Sequence, residues 1–347
     1  MSAFTLMVSA GFVDKMRQKR FQNKMAESRF SLAATGFLCL IIWICCGLPF
    51  TPEGWLWANL SGTSAFAGIP NVFVTLPCLL IATYLMVELN NSNSLIRIFS
   101  RMVSCVFLVL ITMVTFHLAS VKSSVVTLCA VAFLTAMFHC YQDRDATGMI
   151  YHAFICIGIA SLLFVHILFF LPLLWVLMAS KLLCMSHKTF LASIFGTITP
   201  YWLLAAYHLP AGNFQNILDH FAELAHFTPV FNYSMLNEHQ IVTAIYIIAV
   251  AMIGIVHYLR KRQQDHIRTQ MLYELLIIID IAAITFLILL PQHYESLLGI
   301  IIVNTSPIIA HFIALTQTRW TNLMTKLLML LAMAVTIYNL WMPSLIF

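Results

Sequence analysis

Apolar runs recur along this chain at residues 30–49, 69–89, 102–121, 124–141, 150–167, 169–186, 189–207, 239–258, 271–290, 296–317 and 322–342. A bilayer's hydrocarbon core is about 30 Å thick, and about 20 residues of helix cross it. In lipid, only a helix or a closed barrel satisfies its own backbone hydrogen bonds. Each run therefore predicts one crossing helix, and the chain predicts an all-α, polytopic transmembrane helix bundle of about 11 spans. The runs 150–167 and 169–186 nearly touch, which predicts a tight hairpin on the outer face. Pro172 stands near the start of its second helix, and Lys181, His187 and Lys188 end it.

One segment between the runs has a different pattern. From Phe214 it reads FQNILDHFAELAHF, with Phe214, Ile217, Leu218, Phe221, Leu224 and Ala225 spaced as one helical face. Gln215, Asn216, Asp219, Glu223 and His226 take the other face. The spacing predicts an amphipathic helix over about 213–227, too short and polar to cross, lying at the outer interface. Asp219, Glu223 and His226 have spacing compatible with a metal, but a solvated polar face explains them more simply, and no metal is expected.

Charge positions give the orientation. With the amino terminus in the cytoplasm, all but Lys122 of the 18 Lys and Arg residues fall on the inner side, as the positive-inside rule requires. Residues 1–29 then form a basic cytoplasmic segment, too polar and too long for a signal peptide. Its DKMRQKRFQNK stretch orients the first span and can touch anionic headgroups. Residues 30–347 form a single transmembrane domain, without a linker, composition shift or internal repeat.

Composition closes off other classes. Apolar residues make up 61% of the chain and charged residues 9%, against about 25% charged in soluble domains. That excludes a water-soluble globule, a disordered chain and a nucleic-acid surface. The nine cysteines sit in apolar stretches with no CxxC pair, so they are expected as buried small hydrophobes rather than disulfides or zinc ligands. No phosphate-cradling glycine loop, nucleophile elbow or HExxH occurs, and no cofactor is expected.

Polar groups inside the runs carry the candidate chemistry. An ionisable residue at mid-bilayer costs about 2.5–3.5 kcal/mol on the insertion scale and usually faces protein or a water-filled cavity. Asp280 lies midway along 271–290, and Asn304 lies at nearly the same depth in the next, antiparallel run. The two are expected to hydrogen-bond as a structural clamp, ahead of a proton relay. A second set stands at the outer ends of runs: Glu53, His117, Lys122, His166 and His208. They meet in one outer polar pocket if the odd-numbered spans are neighbours.

From Met149 to His208 the chain has a characteristic order. The inner turn QDRDATGM leads into GIASLLFVHILFFLPLLWVLM, a short inner loop and SIFGTITPYWLLAAY. This resembles an uncharacterised family of bacterial polytopic inner-membrane proteins and, more distantly, the GT-C glycosyltransferases that use lipid-linked sugar donors. The resemblance implies a multi-pass protein of the bacterial inner (plasma) membrane with a site open to the outer face. It also implies an acidic residue in the first outer loop, for which this chain offers Glu53 in LPFTPEGWLW.

Three functions follow. One is a GT-C-like transferase of envelope glycan or lipid-linked sugar metabolism. Glu53 would be its carboxylate, and His117, Lys122, His166, His208, Phe214 and Phe221 would bind substrate under the 213–227 helix. Another is a non-catalytic membrane scaffold subunit that holds other membrane proteins. The third is a small-solute or proton-coupled transporter centred on Asp280 and Asn304. Membrane lipids are expected partners in each case.

Overall fold

The structure, a computed structural model, describes residues 21–47, 72–114, 120–208, 220–225, 231–316 and 318–341. Among these residues it is helical without a strand. A short α1 (Phe21–Glu27) precedes α2 (Ser31–Gly47), α3 (Val72–Asn93), α4 (Met102–Met113), α5 (Val121–His139) and α6 (Thr147–Leu163). A 3-10 turn (Val165–Phe170), α7 (Leu171–Leu177) and a π turn (Met178–Leu182) together make the next passage. Then come α8 (His187–His208), α9 (Glu238–Lys261), α10 (Ile267–Leu289), α11 (Tyr294–Leu315) and α12 (Arg319–Trp341).

Every apolar run of the sequence holds one helical passage. Eight passages are long and apolar enough to cross a membrane, while Ser31–Ile44, Met102–Met113 and Thr147–Leu163 are shorter apolar helices. The chain is thus an integral, multi-pass helical protein. The shortest passage differs most from expectation: in the run 102–121 the described helix is Met102–Met113, and residues 115–119 lie outside the described residues. At 1.5 Å per residue α4 is about 18 Å long, well under the bilayer core. Val114, at φ −90° and ψ 75°, leaves the helix while still buried. Non-helical backbone is tolerated at membrane depth where protein covers it.

The hairpin expected near 168 turns earlier. Phe164 leaves helical geometry (φ −137°, ψ 84°), and Val165 starts the return passage. Pro172 lies in the first turn of α7, where its missing N–H would have had no helical partner.

Helix α11 is the axis of the bundle. Every residue from Ser296 to Ala314 is buried, and α4, α5, α9 and α10 pack around it, with α1 against one end. A helix enclosed by protein has no lipid-facing side, so Asn304, Thr305, Ser306 and His311 can sit in it without exposure to hydrocarbon. α2, α3 and α12 lie farther out and expose large apolar side chains such as Phe37, Phe73, Leu80 and Leu330. α8 packs on α6 through glycine. A Cβ at Gly158 would lie 2.6 Å from the Thr197 carbonyl oxygen, and one at Gly196 would lie 2.6 Å from that of Tyr151. Small residues at a helix contact permit this backbone approach.

The helix ends sort into two groups. Arg268 donates to Asn93 and Phe138, Gln142 N–H to Leu182, and Gln22 to Thr316, so the ends of α1, α3, α5, α10 and α11 meet at one side. At the other side, Asn339 donates to Met113 and Thr243, and Lys122 lies over the Phe164 ring. Every described Lys and Arg except Lys122 belongs to the first, basic end or the two turns of helix beside it.

Candidate functional site

At the end opposite the basic one, a polar cleft of about 230 Å³ opens between α5, α9 and α11. Lys122, Gln240, His293, Glu295 and Ser296 supply its polar lining. Local folding holds each of them. Ser120 caps α5, accepting from the Ser123 N–H, and so places Lys122 in the first turn. At α9, Asn237 and Gln240 form a capping box. The Gln240 side chain accepts from the Asn237 N–H at 3.1 Å, which fixes Gln240 at the cleft. A 3-10 turn, Pro291–His293, leads into α11 and sets His293, Glu295 and Ser296 around its start.

Lys122 and Glu295 are exposed, and neither forms an ion pair among the described residues. The Lys122 ammonium lies 5.8 Å from the centre of the Phe164 ring, within cation–π range. Phe164 also stacks on His166, and the His166 and His293 rings stand 4.0 Å apart. Glu223 and His220 lie within electrostatic reach of His166. The His220 Nε2 is 3.0 Å from the Ser161 carbonyl, and Phe221, on the same turn, packs 4.9 Å from Tyr201 of α8. One ammonium, three imidazoles and two carboxylates thus gather at the end of an apolar bundle. The set is suited to binding an anion and moving a proton.

Of the residues singled out from sequence, Lys122 and His166 come together around Phe164, and Phe221 stands on the neighbouring turn. His208 is the last residue of α8. Glu53, His117 and Phe214 lie outside the described residues, as does most of the 213–227 segment; its described part is one helical turn ending in a 3-10 turn, Glu223–Ala225. His293 and Glu295 were not anticipated. Both follow Pro291 at the same end as Lys122, which was the available signal.

The pairing expected at mid-bundle is different in the structure. Asp280 is fully buried, and its carboxyl accepts from Thr305 Oγ1 at 3.1 and 3.3 Å. Asn304 instead donates to the Ile300 carbonyl and turns toward a small apolar cavity between α5, α6, α7 and α10. Successive helical residues point about 100° apart, so only one of two neighbours can face Asp280.

The basic end holds a second polar cluster. Asp265, between α9 and α10, accepts from Arg97 Nε at 2.6 Å and from His311 Nε2 at 3.1 Å. Burial alone would raise its pKa, but the hydrogen bonds from His311 and Arg97 and their charges outweigh that and hold it below the ordinary carboxylate value. Nearby, Glu274 pairs with both Lys181 and Arg262. Among the described residues no group of three or more His, Cys, Asp and Glu side chains could hold a metal ion. No known protein family, curated protein or solved structure matches this chain.

Proposed function

We propose that this multi-pass membrane protein binds a phosphate-bearing amphiphile at the Lys122 cleft and acts in envelope glycan or lipid-linked sugar metabolism, as a GT-C-like transferase. The supporting observation is Lys122 itself. It is the one described cation at its end of the bundle, unpaired and opening onto the polar cleft. A lipid-linked donor presents its phosphate at the interface, where such an ammonium can meet it. Glu295, on the same cleft, is placed to accept the proton of an acceptor hydroxyl, the role of a general base. The acceptor oxygen then bonds to the sugar carbon, and the phosphate departs with the electron pair of the broken bond toward Lys122. Glu53 is the other carboxylate proposed for this role. In this reading the membrane is the bacterial inner membrane, the basic end is cytoplasmic and the cleft faces outward.

The test is binding of a polyprenyl phosphate, against the neutral polyprenol, to purified protein in lipid nanodiscs. The phosphate should bind more tightly, and Lys122→Ala should weaken it about tenfold while leaving the alcohol unaffected, a loss of about 1.4 kcal/mol. Equal binding of both lipids would sink the proposal. Glu295→Gln should keep binding and lose sugar transfer.

A second reading, proton-coupled transport, is favoured by one observation, the fully buried Asp280 beside Thr305 on the bundle axis. Proton flux into vesicles that stops with Asp280→Asn would support it.

A further inference from the structure

An apolar cavity of about 90 Å³ lies between α2, α4, α9, α11 and α12, with Met25 of α1 at one end. Its wall on α4 extends from Met102 to Leu110, and its wall on α12 from Thr325 to Ala332. At 1.5 Å per residue the α4 stretch is about 12 Å long, so the cavity reaches from the basic end nearly to mid-bilayer. α2 and α12 both pack on α4, and the seam between them is open. Met329, 39% exposed, and the half-buried Thr35 and Val109 all line the cavity there. The same two helices turn Phe37 and Leu330 outward, so the opening belongs to the lipid-facing side of the bundle.

The lining asks for an apolar occupant. Thr35 donates to the Ser31 carbonyl, Tyr246 to that of Leu328 and Thr325 to that of Thr321, so these hydroxyls are already used. The Cys105 thiol lies against Ser31 and Thr35, and the rest of the lining is aliphatic or methionine. Water gains few hydrogen bonds in such a space, whereas methylene groups gain dispersion contacts, and methionine adapts to their shape. The rim at the basic end is charged instead. Lys24 precedes Met25, Arg101 precedes Met102, Lys326 follows Thr325, and Arg29 stands two residues before Ser31; all four cations are exposed. The Arg101 charge reaches as far as Cys105 in the lining. On α1, α2, α4 and α12 the described residues hold a single carboxylate, Glu27. Among the described residues Lys24, Arg29 and Arg101 form no ion pair.

We infer that the groove between α2 and α12 is a binding site for an anionic glycerophospholipid of the surrounding membrane. One acyl chain enters the cavity through the seam, and the phosphate stays at the rim with Arg29 and Arg101. The two features together select this ligand. A neutral lipid fills the groove but leaves the cations unmatched, and a free anion meets the cations but leaves the groove empty. An anionic lipid does both, and cations near the membrane surface favour it by about 1 kcal/mol each. The bound chain also completes the packing of α2 and α12 against the short α4. This site is independent of the Lys122 cleft at the opposite end and holds whichever way the bundle is oriented.

The experiment is photocrosslinking of the full chain in phosphatidylcholine nanodiscs. The probe is a trace of phosphatidylglycerol or phosphatidylcholine carrying a diazirine on one acyl chain, and mass spectrometry locates the labelled residues. The phosphatidylglycerol probe should label Val109, Met329 and their neighbours about fivefold more than the phosphatidylcholine probe, the scale of one cation near an anionic headgroup. Unlabelled phosphatidylglycerol should compete. Arg29→Gln combined with Arg101→Gln should bring the two probes level, and Met329→Trp, which fills the opening, should lower groove labelling by both. Lys122→Ala should change neither result, which separates this site from the cleft. Both arginines are exposed, so the test stands even where Met329→Trp folds poorly. Equal labelling by the two probes, or a preference that survives the loss of both arginines, would overturn the anionic site. Groove labelling no stronger than that of Phe37 and Leu330 would overturn it too, leaving ordinary surrounding lipid or another occupant of the cavity.

Discussion

Thr305 Oγ1 stands 3.1 Å from one oxygen of Asp280 and 3.3 Å from the other, so a single hydroxyl serves a carboxyl group with no exposed surface. The contact joins α10 to the central α11 halfway through the bundle. Asp280 and Thr305 are therefore a coupled pair, and the loss of either one differs from the loss of both.

Thr305→Val should destabilise the protein by about 1–3 kcal/mol, because it strands a buried polar group. Asp280→Asn should be tolerated, since an amide oxygen still accepts from Thr305. The double variant Asp280→Leu with Thr305→Val should be closer to wild type than the sum of its parts, as both partners are then apolar. Unfolding in detergent, measured as a double-mutant cycle, checks this. Strict additivity would show that the pair is not coupled.

The α6–α8 contact depends on two hydrogen atoms. Gly158→Ala would place a methyl 2.6 Å from the Thr197 carbonyl, and Gly196→Ala would do the same against Tyr151. Backbone on the receiving side cannot rotate away as a side chain does, so each change should cost about 1–3 kcal/mol. At Gly148 a methyl would meet open space, with nothing within 4 Å, so Gly148→Ala should be neutral or gain up to about 1 kcal/mol from helix propensity. Thermal midpoints of the three variants in one detergent separate contact from propensity. Equal midpoints for Gly158→Ala and Gly148→Ala would refute the close approach.

Acid should weaken the basic end through Asp265. The pKa of Asp265 is depressed in the fold: burial works to raise it, and the bonds from His311 and Arg97 prevail. A carboxyl depressed on folding stabilises the protein fully above its unfolded value, about pH 4, and loses that contribution as pH falls through the folded value. Stability should therefore drop below about pH 4, and Asp265→Asn should remove that part of the slope while lowering stability at neutral pH. Urea unfolding of the two proteins across this range is the check, and parallel curves would rule out Asp265 as the source.

Much of the architecture was legible in the chain because crossing a bilayer demands length and apolarity, and both are local properties. The capping box at Asn237 and Gln240 is equally local. Which helix is central was not legible, since an apolar run reads the same against lipid or protein; α11 differs only in its scattered Asn304, Thr305, Ser306 and His311. Depth alone set Asn304 opposite Asp280, whereas helical phase selected Thr305. His311 was hidden for another reason: its partner Asp265 lies 46 residues away, in a turn between two other helices. Lys122 stood out because it is the lone basic residue on its side. Its companions His293 and Glu295 have only their place after Pro291, at the same end, to mark them.

The last prediction concerns the two ends. The exposed turn at Asp143 belongs to the basic end, because Gln142 donates its N–H to Leu182 beside Lys181. Ser234 belongs to the cleft end, because its neighbour Tyr233 donates to the Ile288 carbonyl near the finish of α10. Basic residues are retained on the cytoplasmic side of short connections, which predicts Asp143 inside and Ser234 outside. In intact cells, a membrane-impermeant maleimide should therefore label Ser234→Cys above the background of the native cysteines. Asp143→Cys should react only after the cells are opened. The described native cysteines are buried or half-buried, so a surface thiol should stand clear of them. The reverse pattern would invert the orientation, place Lys122 in the cytoplasm and remove the outward-facing cleft. Labelling of both positions from one side would break the alternation of passages on which the assignment of the two ends depends.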